Sequence, residues 1–217
     1  MSQAELTAGQ ALGRPKTLGS IALLAGAGAG CFAVSEMIQR LYPERPVVPD
    51  LLFSLLPDVP FLAYLSDPLM AAAVVLILWY AFRLDRRHLP YYFCTAGLTY
   101  LARGLLMALT PLGRPTGNLD SYGIFRVIQL KQHGMFPSGH VTLAAAFFFL
   151  IDGQRHPGWK RAAGLLGLAQ IITLLLSRGH YSIDVAGGIM VGYLATSLLS
   201  RRREIFRLEE PGEETSR

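Results

Sequence analysis

Apolar runs long enough to approach a bilayer crossing recur six times in this chain, and that recurrence excludes most folds. A hydrocarbon core is about 30 Å thick, so a spanning helix needs about 20 mostly apolar residues. The runs lie at Thr17–Met37, Pro60–Phe82, Leu89–Leu112, Gly139–Gly153, Gly158–Ser177 and Tyr181–Ser200. Lipid satisfies no backbone polar group, so helices are the default for such segments. The expected fold is all-α: a six-helix transmembrane bundle with both termini cytoplasmic. Of the 217 residues only 16% are charged, against roughly 25% in soluble domains. The first run imitates a signal peptide, but cleavage would leave the other five unexplained, so a retained helix is expected. Three parts follow: a cytoplasmic segment 1–16, a membrane domain 17–203, and a polar cytoplasmic tail 204–217 that is disordered after Arg207.

The loop charges set the orientation. Arg14, Lys16, Arg83, Arg86, Arg87, Arg155, Lys160, Arg161, Arg201, Arg202, Arg203, Arg207 and Arg217 fall on one side of the expected bundle. The other side has Arg40, Arg45, Arg114, Arg126, Lys131 and Arg178. Short loops rich in Lys and Arg stay cytoplasmic. Loops 40–59, 113–138 and 178–180 therefore face outward. A net charge of +5 could suggest a nucleic-acid partner, but the charges sit between apolar runs, so the partner is the bilayer. Arg outnumbers Lys, and Asn118 is the sole asparagine. That bias fits a GC-rich bacterial genome and hence an inner-membrane protein.

Gly26 with Gly30, and Gly188 with Gly192, have the small-xxx-small spacing that lets helices approach closely. Gly-rich apolar filler reads the same way. Tyr91, Tyr92, Trp159 and Tyr181 lie near run ends and are expected as interfacial anchors. Cys31 and Cys94 fall in apolar runs and are expected as ordinary buried thiols, with neither disulfide nor metal spacing.

Two stretches carry chemistry. One is Gly134-Met135-Phe136-Pro137-Ser138-Gly139-His140; the other is Arg178-Gly179-His180-Tyr181-Ser182-Ile183-Asp184. Both fall at outer ends of expected spans, so topology brings them to one side of the membrane. His180 and Asp184 are four apart at a helix start and share a face. A carboxylate there fixes the imidazole tautomer and leaves the other nitrogen as a nucleophile. His140 suits general acid work, since an unperturbed imidazole titrates near 6.5. Ser138 and Gly139 lead into a helix whose first N–H groups point at an anion, and phosphate is the natural one. The run from Gly139 is short, which places His140 at or just below the outer interface.

Arg103 lies inside the third run, where a charge is costly and functional by default. Its expected role is clamping phosphate oxygens; the plainer alternative is an ion pair with Asp58 or Asp67. Arg178 and Lys131 are further phosphate-binding candidates. A metal site of His140, His180 and Asp184 lacks obvious further ligands. No metal and no cofactor are therefore expected.

These residues resemble the phosphatidic acid phosphatase type 2 superfamily, and within it the sphingomyelin synthase-like branch. The resemblance covers roughly residues 56–190. Leu56-Pro57-Asp58, the stretch 100–115, Ser138-Gly139-His140 and His180-Tyr181-Ser182-Ile183-Asp184 resemble that branch's four motifs in order. It implies six helices and a metal-independent reaction through a phosphohistidine. By that likeness His180 attacks phosphorus, Asp184 orients it, and His140 protonates the leaving group and later activates the acceptor. Some features lean toward the lipid phosphatase branch. Arg114-Pro115 and Pro137 are phosphatase-like, whereas Met107 stands where that branch has a lysine, and Ser177-Arg178 lies immediately before His180.

The expectation is a multi-pass membrane enzyme that moves a phospho-headgroup from a phospholipid to a lipid alcohol such as diacylglycerol or ceramide. Hydrolysis to water, by a lipid phosphatase or phospholipase C-like enzyme, is the alternative. An inactive lipid-binding protein is a third reading, but a binding site does not need a nucleophile.

Overall fold

The computed structural model describes residues 6–116 and 134–209. Their helices, in chain order, are α1 (Ala8–Gly13), α2 (Pro15–Leu41), α3 (Leu51–Leu55), α4 (Ala63–Leu84), α5 (Leu89–Leu109), α6 (Gly139–Leu150), α7 (Pro157–Leu176) and α8 (Ser182–Ser200). Short 3₁₀ turns occupy Pro60–Leu62, Arg86–His88 and Arg203–Phe206. No strand occurs among the described residues.

Five helices, α2, α4, α5, α7 and α8 with their lead-in turns, are long and apolar enough to cross a membrane. This is the pattern of a multi-pass membrane protein. Their outward faces carry large apolar side chains, including Val75, Leu105, Leu165, Met190 and Leu198, as lipid contact requires. The expected fourth span forms a helix, but one that stops at Leu150. At 12 residues it is about 18 Å long, short of a bilayer core. The chain leaves the helix at Asp152, whose carboxylate caps a turn by accepting from the amides of Gln154 and Arg155 at 2.9 and 3.1 Å. Six crossings were expected; among the described residues five helices have the length for one, and α6 is a shorter apolar helix running from the end that holds His140 to the end that holds Arg155.

Helix contact is decided by glycine. On α8, a Cβ at Gly192 would lie 2.7 Å from the Thr142 carbonyl oxygen and 2.8 Å from the Ala146 amide of α6; at Gly188 it would lie 3.1 Å from the Ser138 oxygen. This pair is a true close-approach motif. The Gly26–Gly30 pair is not, because nothing lies within 4 Å of either. The α2–α5 contact uses α5 glycines instead: a Cβ on Gly97 would meet Leu23 at 3.2 Å, and one on Gly104 would meet Cys31 at 3.6 Å.

The basic end of the bundle is knitted by long-range bonds. Arg86 donates to the Leu6 carbonyl at 2.7 Å, Leu208 N–H donates to Arg87 O at 2.8 Å, and Lys16 reaches Ile205 O at 3.2 Å. Both ends of the described chain therefore meet at the α4–α5 turn. Beneath them Asp85 accepts from His88 at 2.7 Å and Tyr92 at 2.5 Å, and pairs with Arg203. Burial pushes the Asp85 carboxyl up, but these donors outweigh it and hold it below the usual carboxylate range. The tail expected from residue 204 is not free at its start, since Leu208 is only 3% exposed and joins the apolar core. The expected aromatic anchors are also largely interior: Tyr91, Tyr92 and Tyr181 are all buried, and Trp159 is half-buried. Of the two thiols, Cys31 is buried and Cys94 half-buried.

Replacing Gly192 with Ala is expected to cost about 1–3 kcal/mol, the usual penalty of overpacking. Gly26→Ala, in open space on a helix, is expected to be neutral or to stabilise by up to about 1 kcal/mol. Unfolding titrations of the detergent-solubilised protein compare the two.

Candidate active site

His180 sits in the turn joining α7 to α8. Helix α7 ends in a Schellman motif: Gly179 N–H bonds to Leu174 O at 2.8 Å and Arg178 N–H to Leu175 O at 3.3 Å. Arg178 adopts the left-handed conformation, φ 55°, that such an end demands. The side chain offsets that strain elsewhere. Its guanidinium donates to Phe53 O at 2.7 Å, lies 3.9 Å from Asp58 and stacks 4.3 Å over the Phe53 ring. Arg178 thus holds α3 against the turn.

Two residues on, α8 begins, and Asp184 stands in its first turn. The carboxylate reaches back to accept from Tyr181 N–H at 3.0 Å and faces His180 Nδ1 at 3.1 Å. Asp184 is fully buried. The surrounding turn is anchored by Asp50, which accepts from the Ser182 amide at 2.5 Å and its hydroxyl at 3.0 Å. A carboxylate only accepts, so Nδ1 of His180 carries the proton and Nε2 keeps its lone pair.

The other histidine comes from α6. Ser138 caps that helix by accepting from Val141 N–H at 3.4 Å, and Thr142 Oγ1 donates to Ser138 O at 2.7 Å. Ser138 N–H donates to Asp184 O at 3.0 Å. One backbone bond therefore joins the two motifs. His140, in the first turn of α6, places Nε2 3.3 Å from Asp67 Oδ1 of α4. Each histidine has its own carboxylate. By the reasoning used for His180, Nε2 of His140 carries a proton toward Asp67 and Nδ1 is the remaining atom.

Arg103 of α5 is only 4% exposed. Its Nε donates to Pro137 O at 3.2 Å and its Nη1 to the Cys31 sulfur at 2.8 Å. A Cβ at Gly139 would lie 3.0 Å from Arg103 Nε, so glycine there lets the guanidinium lie under the turn. The charges of Arg103 and His140 both reach His180. Its imidazole is pushed below the ordinary 6.5, first by burial and then by those two charges, against the opposing pull of Asp184. His180 is therefore neutral at pH 7, the form a nucleophile needs.

The structure thus gathers His140, His180, Asp184, Arg103, Ser138 and Gly139 around one turn-to-turn junction. It turns Arg178 toward α3, and Lys131 lies outside the described residues. Of the two aspartates weighed as partners for Arg103, Asp58 lies by Arg178 and Asp67 by His140. Reading the sequence missed Asp67 as the partner of His140, although a lone acid inside the apolar α4 run was the available signal. Asp50 gave no such signal, since a loop aspartate before a short helix reads as a cap. Among the described residues, no three His, Cys, Asp or Glu side chains are grouped to hold a metal ion.

The AtPDCT1/2 family model matches residues 31–201, which include every residue of this junction. The chain belongs to that family. Its relatives place it in the sphingomyelin synthase-like branch of the phosphatidic acid phosphatase type 2 superfamily. It is 34% identical over 108 residues to phosphatidylcholine:diacylglycerol cholinephosphotransferase 2 of Arabidopsis thaliana, covering 49% of this chain and 36% of that protein. Against cholinephosphotransferase 1 of the same kind from that plant, identity is 33% over 108 residues, 49% of this chain and 35% of the relative. Against phosphatidylcholine:ceramide cholinephosphotransferase 1 of Caenorhabditis elegans it is 27% over 204 residues, 78% of this chain and 43% of the relative. The chain spans less than half the length of each of these relatives.

The His180 imidazole is expected to titrate below 6.5 when followed by ¹⁵N-histidine NMR. Asp184→Asn removes the one charge that favours the imidazolium, so it is expected to move that midpoint lower still.

Proposed function

We propose that the protein is an integral membrane phosphotransferase that moves a phospho-headgroup from a phospholipid to a lipid alcohol through a phosphohistidine. The observation that carries this reading is the pair of imidazoles, each facing a carboxylate, joined by the Ser138–Asp184 backbone bond. The names of the relatives supply the substrate class: phosphatidylcholine as donor, with diacylglycerol or ceramide as acceptor.

In the first half-reaction, Nε2 of neutral His180 attacks the phosphorus of the donor. A P–N bond forms, the P–O bond to the glycerol backbone breaks, and His140, entering the step as the imidazolium with Nε2–H held by Asp67, delivers its Nδ1 proton to the departing alkoxide. In the second half, His140, now neutral, takes the proton of the acceptor hydroxyl. That oxygen attacks phosphorus, the P–N bond breaks and His180 is regenerated. Asp184 keeps Nδ1 of His180 protonated and stabilises the positive charge that the ring acquires on phosphorylation. Asp67 does the same positioning work for His140. The first amides of α6, at Gly139 and His140, face the anion, and Arg103 adds positive charge beneath them. Arg178 supports the site by holding α3. No metal enters this scheme.

Sidedness follows from the charges. The basic end is cytoplasmic by the positive-inside rule, both termini lie there, α6 serves as the sixth element of the bundle, and the histidine junction opens on the extracytoplasmic side. A Cys at Glu204, on the basic end and well exposed, is expected to react with impermeant maleimide only in inverted vesicles. Reaction in right-side-out vesicles would reverse the orientation.

The deciding assay reconstitutes purified protein with headgroup-labelled phosphatidylcholine, with and without diacylglycerol or ceramide. Labelled lipid product that depends on the acceptor is expected, unchanged by EDTA. His180→Ala is expected to lose at least about 10³-fold. Asp67→Asn is expected to lower kcat about 10- to 100-fold with KM little changed, since its group acts through the general acid. Free phosphocholine in place of lipid product would assign the site to hydrolysis. No turnover of phosphatidylcholine, phosphatidylethanolamine or phosphatidic acid would sink the reading.

A further inference from the structure

A cavity of about 520 Å³ opens at the basic end of the bundle, remote in the fold from the histidine junction. Five arginines line it: Arg83, Arg86, Arg87, Arg155 and Arg207. Among the described residues, the acidic groups in its wall are Asp85 and Glu204. Asp85 is already engaged by His88, Tyr92 and Arg203, and Glu204 is 76% exposed at the rim. The lining is therefore strongly positive.

Sidedness alone does not require this arrangement. A positive-inside bias needs arginines in the loops, not arginines from separate loops turned onto one space. Here they come from the end of α4, the α4–α5 turn, the α6–α7 loop and the C-terminal segment. Guanidinium groups converging on a cavity fit phosphate oxygens, which they bind by paired N–H donors. The cavity also begins where a spanning helix ends. Leu84, the last residue of α4, lines it and is 44% exposed. Beside it Arg83 stacks 5.3 Å over Trp79, one turn back on α4 and 54% exposed. An occupant with a phosphate in the cavity has apolar surface beside it for acyl chains.

We propose that this arginine-lined cavity binds the phosphate of an anionic phospholipid from the leaflet at the basic end of the bundle. The bound headgroup would bridge the α4–α5 turn and the C-terminal segment. It would thus hold together the docked end that Leu208 and Arg86 already tie. The proposal is independent of the reaction at the histidine pair, because no residue of that site lines the cavity.

The test uses the full chain, delipidated in a neutral maltoside detergent, and reads the thermal unfolding midpoint. Phosphatidylglycerol in mixed micelles is expected to raise the midpoint saturably, and phosphatidylcholine is expected to do so far less. The double variant R83Q/R155Q is expected to need about 30-fold more phosphatidylglycerol for the same shift, taking about 1 kcal/mol for each basic side chain near an anionic lipid. Its lipid-free midpoint and its turnover of phosphatidylcholine report that it is folded. Neither arginine is among the groups that tie the chain ends. An equal shift in wild type and variant would place the lipid elsewhere and overturn the proposal. The same shift from inorganic phosphate would make the ligand a soluble anion and overturn the lipid assignment. No shift from phosphatidylglycerol at all would also overturn it.

Discussion

The close crossing of α6 and α8 is the constraint on which the site depends. Backbone meets backbone there: Gly192 leaves no room for a Cβ against Thr142 and Ala146, and Ser138 N–H bonds to Asp184 O at 3.0 Å. In lipid, apolar burial supplies little drive for helix association, so packing and hydrogen bonds between close backbones have to carry it. The same contact that fastens the helices brings a capped helix start carrying His140 against a helix start carrying Asp184.

From that contact the electrostatics follow. Asp184 is fully buried, yet a buried carboxylate is tolerable only with donors. Tyr181 N–H and His180 Nδ1 provide them. His180 is 12% exposed and His140 21%, so the two imidazoles sit in different surroundings. Burial, with the charges of Arg103 and His140, favours the neutral form of His180. The more accessible His140 faces Asp67 at 3.3 Å, whose side chain is 13% exposed. Under the proposed reaction, those surroundings suit the two identical side chains to opposite roles.

The two ends of the bundle solve different problems. The histidine end is built from local turns, a Schellman motif and two helix starts, clasped by Asp50 and Arg178. The basic end is built from long-range bonds that gather both ends of the described chain around Asp85. That gathering costs charge repulsion among many arginines. The half-buried Asp85 relieves part of it from within, and under the proposal above an anionic lipid would relieve more from the membrane.

The sequence alone determined whatever is local. Runs of apolar residues define helices through backbone satisfaction in lipid, and loop arginines segregate to one end. The four-residue spacing of His180 and Asp184 forces a shared face. Those features need no knowledge of neighbours, and the five long helices, the gathering of arginines at one end and the His180–Asp184 contact agree with such reasoning. Tertiary structure alone decided the rest. Asp67 meets His140 across 73 residues, and Asp58 meets Arg178, because of which helix faces touch. The glycines of one small-xxx-small pair pack while those of the other face open space, and tyrosines that read as interfacial anchors fill the interior. Even the length of α6 was set by a turn at Asp152 rather than by its apolar run. The physical reason is common to all of these. Periodicity and solvation act within a turn or two of chain, whereas pairing between helices depends on the rotation and depth of each, which no short window of sequence contains.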